Sequence, residues 1–256
     1  MALLHAVFGS IKLLGYFLRF GLELLIRQPS TRQDRAAWLH RFCSTALKGM
    51  GVSLTVEGAF PARGALISNH LSYVDIVVYA ALQPCVFCSK AEIREWPVIG
   101  WMTTMSGTVY VERGRGGSAL RARSGMQAAA EAGLPVVFFP EGTTTNGDGL
   151  LPFHSGLLAQ AMDSGEPITA AHIHYTLDLD NGPGVTAREA VCWGDSTPML
   201  KHVARFLTLR GVHATVRIAP QPIVFSSGSV HRKIAAVEAR EAVLGLSAVG
   251  EVVSAD

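Results

Sequence analysis

The sequence predicts an α/β fold, built around a largely parallel or mixed sheet that is flanked by helices. From Val52 onward, short runs rich in branched and aromatic residues alternate with helix-type stretches, as in sheets covered by helices. The 256 residues suffice for one sizeable hydrophobic core but hardly for two. We therefore expect one main domain, residues 51–256, preceded by an N-terminal helical unit, residues 1–50.

The first 28 residues predict a helix that associates with a membrane. They are long enough to span a bilayer, which takes about 20 apolar residues, but Lys12, Arg19 and Glu23 would each be unfavourable at its centre. On a helical wheel these three residues and His5 fall within an arc of roughly 40°. We therefore expect an interfacial helix whose apolar side enters the lipid. The alternative is a helix packed in the protein's own core with one wet edge.

A second helix is expected to complete an N-terminal helical hairpin. Pro29 ends the first helix, and Ser30 or Thr31 is the candidate cap of the next one. This second helix is predicted to continue to Lys48, because Gly51 then ends the helical pattern.

Eight strands and five helices are predicted in the main domain. The helices follow Asp75 and cover residues 117–132, 155–163, 198–209 and 230–246. The strands are β-rich runs bounded by turn residues, namely VSLTVEG, GALISN, CVFCS, TVYVE, LPVVFFP, ITAAHIHY, REAVCWG and ATVRIAP.

The composition restricts the classes of function. A formal net charge of +2 gives no global field for nucleic acid, so any anion site must be local. With 49% hydrophobic and 16% charged residues the chain is apolar for a freely soluble protein, and we expect some surface to face lipid. Cys85 and Cys88 form a lone C-x-x-C pair without a second pair at zinc-binding spacing, so no metal site is expected.

His70 and Asp75 form the first candidate site. They follow the predicted strand GALISN, and functional side chains of α/β proteins collect where strands end. A carboxylate bonded to one imidazole nitrogen fixes the tautomer and favours proton uptake at the other. A separation of five residues is too long for one helix face, so a turn must bring them together. The alternatives are a carboxylate that only complements a helix dipole and a histidine bonded to backbone.

Two glycine-rich runs are further candidates. GTVYVERGRGG places Arg113 and Arg115 beside glycines, and guanidinium groups match phosphate oxygens bidentately. It lacks the ending of a phosphate-binding P-loop, so a nucleotide site is not expected. LPVVFFPEGTTTNGDG ends an apolar strand in Glu141 and three threonines, an arrangement typical of a site loop. Solvated turns are the alternative for both runs.

Three blocks in this order resemble those of the glycerolipid acyltransferase family, which includes the 1-acylglycerol-3-phosphate acyltransferases. The family patterns are N-H-x-x-x-x-D, a glycine followed by an aromatic and a basic residue, and F-P-E-G-T. Two weaker segments, KAEIREWPVIG and EPITAAHI, also resemble the family. The matching positions of the three blocks are Asn69, His70, Asp75, Gly107, Tyr110, Arg113, Phe139, Pro140, Glu141, Gly142 and Thr143.

The resemblance implies an O-acyltransferase that needs no cofactor and no metal. His70 would act as the general base on the acceptor hydroxyl, and Asp75 would orient it. The hydroxyl would attack the thioester of acyl-CoA or of an acyl carrier protein, and the thiol would leave without a covalent acyl-enzyme. Arg113 and Glu141 would hold the head group of the acceptor. The candidate substrate-binding residues are Asn69, Tyr110, Arg113, Glu141, Gly142 and Thr143.

The acceptor that the resemblance implies is 1-acylglycerol-3-phosphate, which would make the product phosphatidic acid. The family's third block often continues with an arginine, where this chain has Thr144, and a following F-K-x-G pattern has His154 in place of the lysine. Both differences remove a permanent cation from the phosphate side. Lyso-ornithine lipid, or a lysophospholipid with a larger head group, is therefore the alternative acceptor.

Other functions are less consistent with the sequence. A thioesterase or lipase would need a G-x-S-x-G nucleophile elbow, which is absent. A non-catalytic lipid-binding protein would tolerate changes at His70 or Asp75, and both are intact. His172 and His174 share a strand face but lack a third clustered ligand for a metal.

The expected location is the cytoplasmic face of the inner (cell) membrane. Lys12 and Arg19 on the first helix would favour an anionic leaflet, by about 1 kcal/mol each near the surface. The expected partners are thus the membrane surface, the lipid acceptor and the acyl-thioester donor.

Overall fold

A mixed seven-stranded sheet forms the centre of the protein, for which the computed structural model describes residues 2–111, 118–194, 197–226 and 231–247. The strand order is β1-β7-β6-β2-β5-β3-β4. Among the strand pairs of the described residues only β6 and β7 are antiparallel, so the predicted mixed α/β sheet is confirmed. The strands are β1 (Ser53–Glu57), β2 (Ala65–Ser68), β3 (Val86–Lys90), β4 (Val109–Val111), β5 (Val136–Phe138), β6 (Ile168–Leu177) and β7 (Val212–Ile218).

Helices connect these strands and cover the sheet. A short 3-10 helix, Ala91–Glu95, follows β3. The α-helices of the described residues are α1 (Ala2–Arg27), α2 (Arg32–Gly49), α3 (Val74–Leu82), α4 (Ile99–Met105), α5 (Ser118–Glu131), α6 (Ser155–Asp163), α7 (Ala187–Ala190), α8 (Met199–Phe206) and α9 (Arg232–Gly245).

The predicted strand REAVCWG is wrong, because this segment forms α7 and an irregular loop. The side chain of Thr186 accepts a hydrogen bond from the N–H of Glu189 and so caps a helical turn. Further on, the N–H of Trp193 donates to the carbonyl of Leu71 rather than to a strand. The segment therefore has its backbone partners in the loop after β2. Helix α4 was not predicted from the sequence.

Helices α1 and α2 share a hydrophobic core with the sheet. Thr31 caps α2 through the N–H of Asp34, as the sequence predicts. The rings of Phe20 and Trp38 each pack against Phe42, at centroid distances of 5.5 and 5.7 Å. These rings belong to the same cluster as the buried residues of α3, β6 and β7. The division of the chain near residue 50 stays a prediction.

One side of α1 is apolar and exposed. Its exposed residues are Val7, Phe8, Ile11, Leu14, Leu18, Leu22, Leu25 and Ile26. No helix of the described ranges is long and apolar enough to cross a bilayer. The association of α1 with a membrane surface therefore stays a prediction.

The two faces of β6 have different environments. Ile173 and Tyr175 are buried against the helices, while His172 and His174 point to the opposite, partly exposed face. Burial, reinforced by the nearby His174 and Arg217, lowers the pKa of His172 to about 4. These two histidines therefore lie on the other side of the sheet from Tyr175 and remain neutral at physiological pH.

Candidate active site

His70 and Asp75 meet at the carboxyl end of β2. The strand ends at Ser68, and a tight turn leads into α3, whose first turn carries Asp75. Nδ1 of His70 lies 2.8 Å from Oδ2 of Asp75. The same oxygen accepts hydrogen bonds from the N–H groups of Leu71 and Ser72, at 2.7 and 2.9 Å. The turn that the spacing required is thus held together by the carboxylate itself.

This geometry leaves one imidazole nitrogen available. An ionised Asp75 only accepts hydrogen bonds, so Nδ1 of His70 carries the proton and Nε2 has a free lone pair. No described group hydrogen-bonds Nε2, and the His70 side chain is 14% exposed. Because Asp75 is fully buried beneath it, the pair can take a proton from a ligand at Nε2 and stabilise the resulting imidazolium.

Phe139 fixes the plane of the imidazole. It is the first residue after β5, the parallel neighbour of β2, so the carboxyl ends of the two strands place the rings together. The centroids of His70 and Phe139 are 4.0 Å apart, and the ring planes differ by 6°. This stacking, together with the Asp75 hydrogen bond, restricts rotation of the imidazole about its side-chain bonds.

Tyr175 is a further member of the site that sequence reasoning missed. Its hydroxyl donates to Oδ1 of Asp75 at 2.7 Å, and its side chain is buried in the core. Burial and the charge of Asp75 raise the pKa of Tyr175 well above its ordinary value of 10.0, so the hydroxyl stays protonated and donates. Asp75 therefore has both oxygens occupied.

Replacing Tyr175 with phenylalanine is expected to lower kcat about tenfold and to move the midpoint of the pH–rate profile to higher pH. Loss of one donor leaves more negative charge on Asp75, which then favours the protonated imidazole of His70 more strongly. The measurement is kcat and KM between pH 5 and 9.

Tyr79→Phe is the matched control for this experiment. Tyr79 is equally buried, but its hydroxyl donates to Ser68 at 2.6 Å and not to Asp75. We expect the control to keep the wild-type midpoint. Equal profiles for both variants would contradict a positioning role for Tyr175.

Glu141 faces backbone groups, although the sequence predicts it as a substrate-binding residue. Its two oxygens accept from the N–H groups of His70 and Leu151, at 2.8 and 2.9 Å. The residue is 2% exposed, and this burial raises the pKa of Glu141 while both N–H contacts act to lower it. The carboxylate thus joins the His70 turn to the loop after β5.

The side chain of Asn69 also forms hydrogen bonds with the backbone, in this case that of β6. Its amide nitrogen donates to the carbonyl of Ile173 at 2.9 Å, and its oxygen accepts from the N–H of the same residue at 2.7 Å. Asn69 is buried and attaches the end of β2 to β6, and its predicted role in substrate binding stays a prediction.

Comparison with known proteins places this chain in a family. A lyso-ornithine lipid O-acyltransferase from Pseudomonas aeruginosa is 36% identical over 194 residues, which are 75% of this chain and 69% of that protein. The chain belongs to the glycerolipid acyltransferase family. The family model described as Acyltransferase matches residues 53–174 of this acyltransferase, a range that includes His70, Asp75, Phe139 and Glu141. The chain is thus an O-acyltransferase.

Two further comparisons concern proteins named for another acceptor. A 1-acyl-sn-glycerol-3-phosphate acyltransferase from Neisseria gonorrhoeae is 35% identical over 133 residues, 51% of this chain and 52% of that protein. The crystal structure of the 1-acyl-sn-glycerophosphate acyltransferase PlsC from Thermotoga maritima matches with a TM-score of 0.66 at 20% identity, over 96% of each chain. At this identity the structural match shows the fold of the acyltransferase alone.

The remaining predicted site residues of the acyltransferase have different positions. Gly142 and Thr143 follow Glu141 in the loop after β5, and Thr143 is exposed. Tyr110 lies on the edge strand β4, where its hydroxyl contacts Thr103 at 2.6 Å and is not brought to His70. Arg113 lies outside the described residues.

Proposed function

We propose that this acyltransferase transfers a fatty acyl group from an acyl thioester to the free hydroxyl of lyso-ornithine lipid. The observation that carries the reaction type is the free Nε2 of His70, opposite an Nδ1 that is bonded to a buried carboxylate. The thioester is that of acyl-CoA or of an acyl carrier protein.

In the proposed mechanism the acceptor itself is the nucleophile. Nε2 of His70 takes the hydroxyl proton as the oxygen attacks the thioester carbonyl carbon. The carbon–sulfur bond then breaks, and the leaving thiolate receives the proton from the imidazolium. Asp75 stabilises the imidazolium between these two steps and keeps the ring in the reactive tautomer. Atoms and charges balance without a metal, a redox step or an acyl-enzyme.

The choice of acceptor rests on charge near the loop after β5. Thr144 and His154 stand where the family pattern often has permanent cations. The ornithine head group has no phosphate, and its free amine balances the charge of its carboxylate, so a lyso-ornithine lipid does not need such cations. Sequence similarity to the Pseudomonas aeruginosa protein and to a Brucella abortus protein of the same name, 33% identical over 175 residues, supports this acceptor. The resemblance-based prediction, 1-acylglycerol-3-phosphate, is the second candidate, and the Neisseria relative favours it.

An acyl-transfer assay separates the two acceptors. Purified protein in mixed micelles is offered lyso-ornithine lipid or 1-acylglycerol-3-phosphate at equal concentration, and kcat/KM is measured for each. We expect at least tenfold preference for lyso-ornithine lipid. A preference for the phosphate acceptor would establish the second candidate instead.

Thr144→Arg tests the charge argument within the same assay. A guanidinium at this position is expected to raise kcat/KM for 1-acylglycerol-3-phosphate about three- to tenfold. Thr55→Arg, which adds the same charge on the exposed edge strand β1, is the matched control and is expected to change nothing. If both variants respond equally, long-range charge and not the loop governs acceptor choice.

The proposed location of this activity is the cytoplasmic surface of the cell membrane. The exposed apolar side of α1 is wide enough to enter the interface, and Lys12 lies on the same helix as a basic anchor. A lipid acceptor that stays in the leaflet could then reach His70 without leaving the membrane.

A further inference from the structure

A basic pocket lies at the edge of the sheet, away from His70. It has a volume of about 430 Å³ between the start of α2, the edge strand β4 and the first half of α5. Three strand spacings separate β2 from β4 in the sheet, which amounts to roughly 14 Å at about 4.8 Å each. We call it the arginine pocket, after three of its lining residues, Arg32, Arg35 and Arg121.

Two arginines of the arginine pocket, Arg32 and Arg35, have no described acidic partner. No described Asp or Glu lines the pocket. Both side chains are half-buried, so water screens their mutual repulsion only in part. An anion in the pocket would offset this repulsion.

Local packing fixes the side chain of Arg35 at the cavity. Nε of Arg35 donates to the carbonyl of Pro29 at 3.0 Å, and its stem lies against Gly107, whose φ is +83°. The start of α2 is also tied to the end of α5, because the Gln33 amide donates to the carbonyl of Ala132 at 2.9 Å. The terminal nitrogens of Arg35 have no hydrogen-bond partner among the described residues, and a planar guanidinium matches phosphate oxygens.

The pocket adjoins the apolar side of α1. Leu25 and Ile26 at the end of that side are exposed, and Ser30, a few residues later, lines the pocket. On the other flank α4 contributes Thr104 to the pocket, while Trp101 of the same helix packs on α1 at Gly21 and is 37% exposed. The pocket therefore lies near the end of the helix that we propose to contact the membrane.

We infer that the arginine pocket binds the phosphate of an anionic phospholipid in the leaflet on which α1 lies. This inference rests on the proposed membrane location but not on the proposed acceptor. The bound lipid is not acylated, because the pocket is about three strands from His70. It would hold the protein in one orientation on anionic membranes.

Vesicle binding of the full chain tests this inference. Dissociation constants are measured for phosphatidylcholine vesicles that contain either phosphatidylglycerol or oleate, adjusted to the same surface potential. Wild-type protein is expected to bind the phosphatidylglycerol vesicles roughly 10- to 30-fold more tightly. The Arg32→Gln/Arg35→Gln protein is expected to lose this preference. The matched control is Arg63→Gln/Arg123→Gln, which removes the same charge near Glu166 and is expected to keep the preference.

The alternative sources of phosphate are tested in the same assay. Inorganic phosphate and coenzyme A are added as competitors at about 1 mM, a concentration on the order of the dissociation constant of a weak single-phosphate contact. Neither is expected to displace wild-type protein from the vesicles. Displacement by coenzyme A that depends on Arg32 and Arg35 would assign the pocket to the donor and overturn the lipid assignment. Equal binding to both vesicle types by wild type, or an unchanged preference in the double variant, would also overturn it.

His70→Ala separates this inference from the proposed function. This variant is expected to keep the phosphatidylglycerol preference while it loses acyl transfer. Loss of transfer together with intact binding would leave the pocket supported even if the proposed acceptor were wrong. Pure phosphatidylcholine vesicles, in which choline balances the phosphate charge, give the baseline binding without an anionic lipid.

Discussion

Replacing His70 with alanine is expected to lower kcat for acyl transfer by about 10³-fold, within the 10²- to 10⁴-fold range of general-base catalysis. This variant removes Nε2 of His70, the atom proposed to accept the hydroxyl proton, while Asp75 keeps its three other donors. KM for the acceptor is expected to change little, because the imidazole acts mainly in the transition state. The measurement is steady-state kinetics with the preferred acceptor in mixed micelles.

His174→Ala is the matched control for this variant. His174 is an exposed histidine on the opposite face of β6, so its loss removes the same side chain without touching the site. We expect the control to have wild-type kinetics. We also expect the unfolding transition of His70→Ala to be the same as that of the wild type. A loss of less than tenfold in His70→Ala would contradict a general-base role.

Asp75→Asn is the second variant for which a large effect is expected. The carboxylate accepts four hydrogen bonds, from His70, Leu71, Ser72 and Tyr175. An amide has only one acceptor oxygen, so its NH₂ group must face at least one of these donors. The imidazole is then free to adopt the wrong tautomer, and we expect kcat to fall by about 10²- to 10⁴-fold.

This variant is also expected to lower the free energy of unfolding by about 1–3 kcal/mol, because a buried donor is left without an acceptor. Urea denaturation of Asp75→Asn and of Asp148→Asn measures this difference. Asp148 is exposed and contacts Arg188 and Asn146 instead, so its amide variant is expected to retain stability and activity. An Asp75→Asn protein with wild-type kcat would exclude the His70–Asp75 pair from the chemistry.

Local patterns predict much of the fold from the sequence. The alternation of β-rich and helical runs identifies all seven strands of the sheet, and Pro29 with Thr31 marks the boundary between α1 and α2. The segment REAVCWG resembles a strand in sequence because Val191, Cys192 and Trp193 are residues with high strand propensity. What decides its structure is the Thr186 cap and a backbone partner on Leu71, which is a tertiary effect.

The candidate site could be predicted only where neighbours in the sequence are neighbours in space. The His70–Asp75 pair follows from a spacing that one turn can close. The sequence gives no sign that Tyr175 reaches Asp75, since 100 residues separate them. Similarly, the sequence shows Asn69 and Glu141 only as polar residues at strand ends. Their hydrogen bonds to backbone groups could not be predicted, because they depend on which strands are neighbours in the sheet. A correct prediction of the strand order would have placed β6 beside β2. Tyr175 on β6 would then have been a candidate partner of Asp75.

The hydrogen bonds from β6 to Asn69 and Asp75 have a consequence for when activity appears during synthesis. Both contacts join residues about a hundred positions apart, so a long loop must close before the site exists. When β2 and α3 have left the ribosome, the growing chain contains His70 and Asp75 but lacks the hydrogen bonds that β6 makes with Asn69 and Asp75. Such a chain is expected to gain an organised His70–Asp75 site only after β6 has emerged and paired, which delays catalysis until most of the enzyme has been translated.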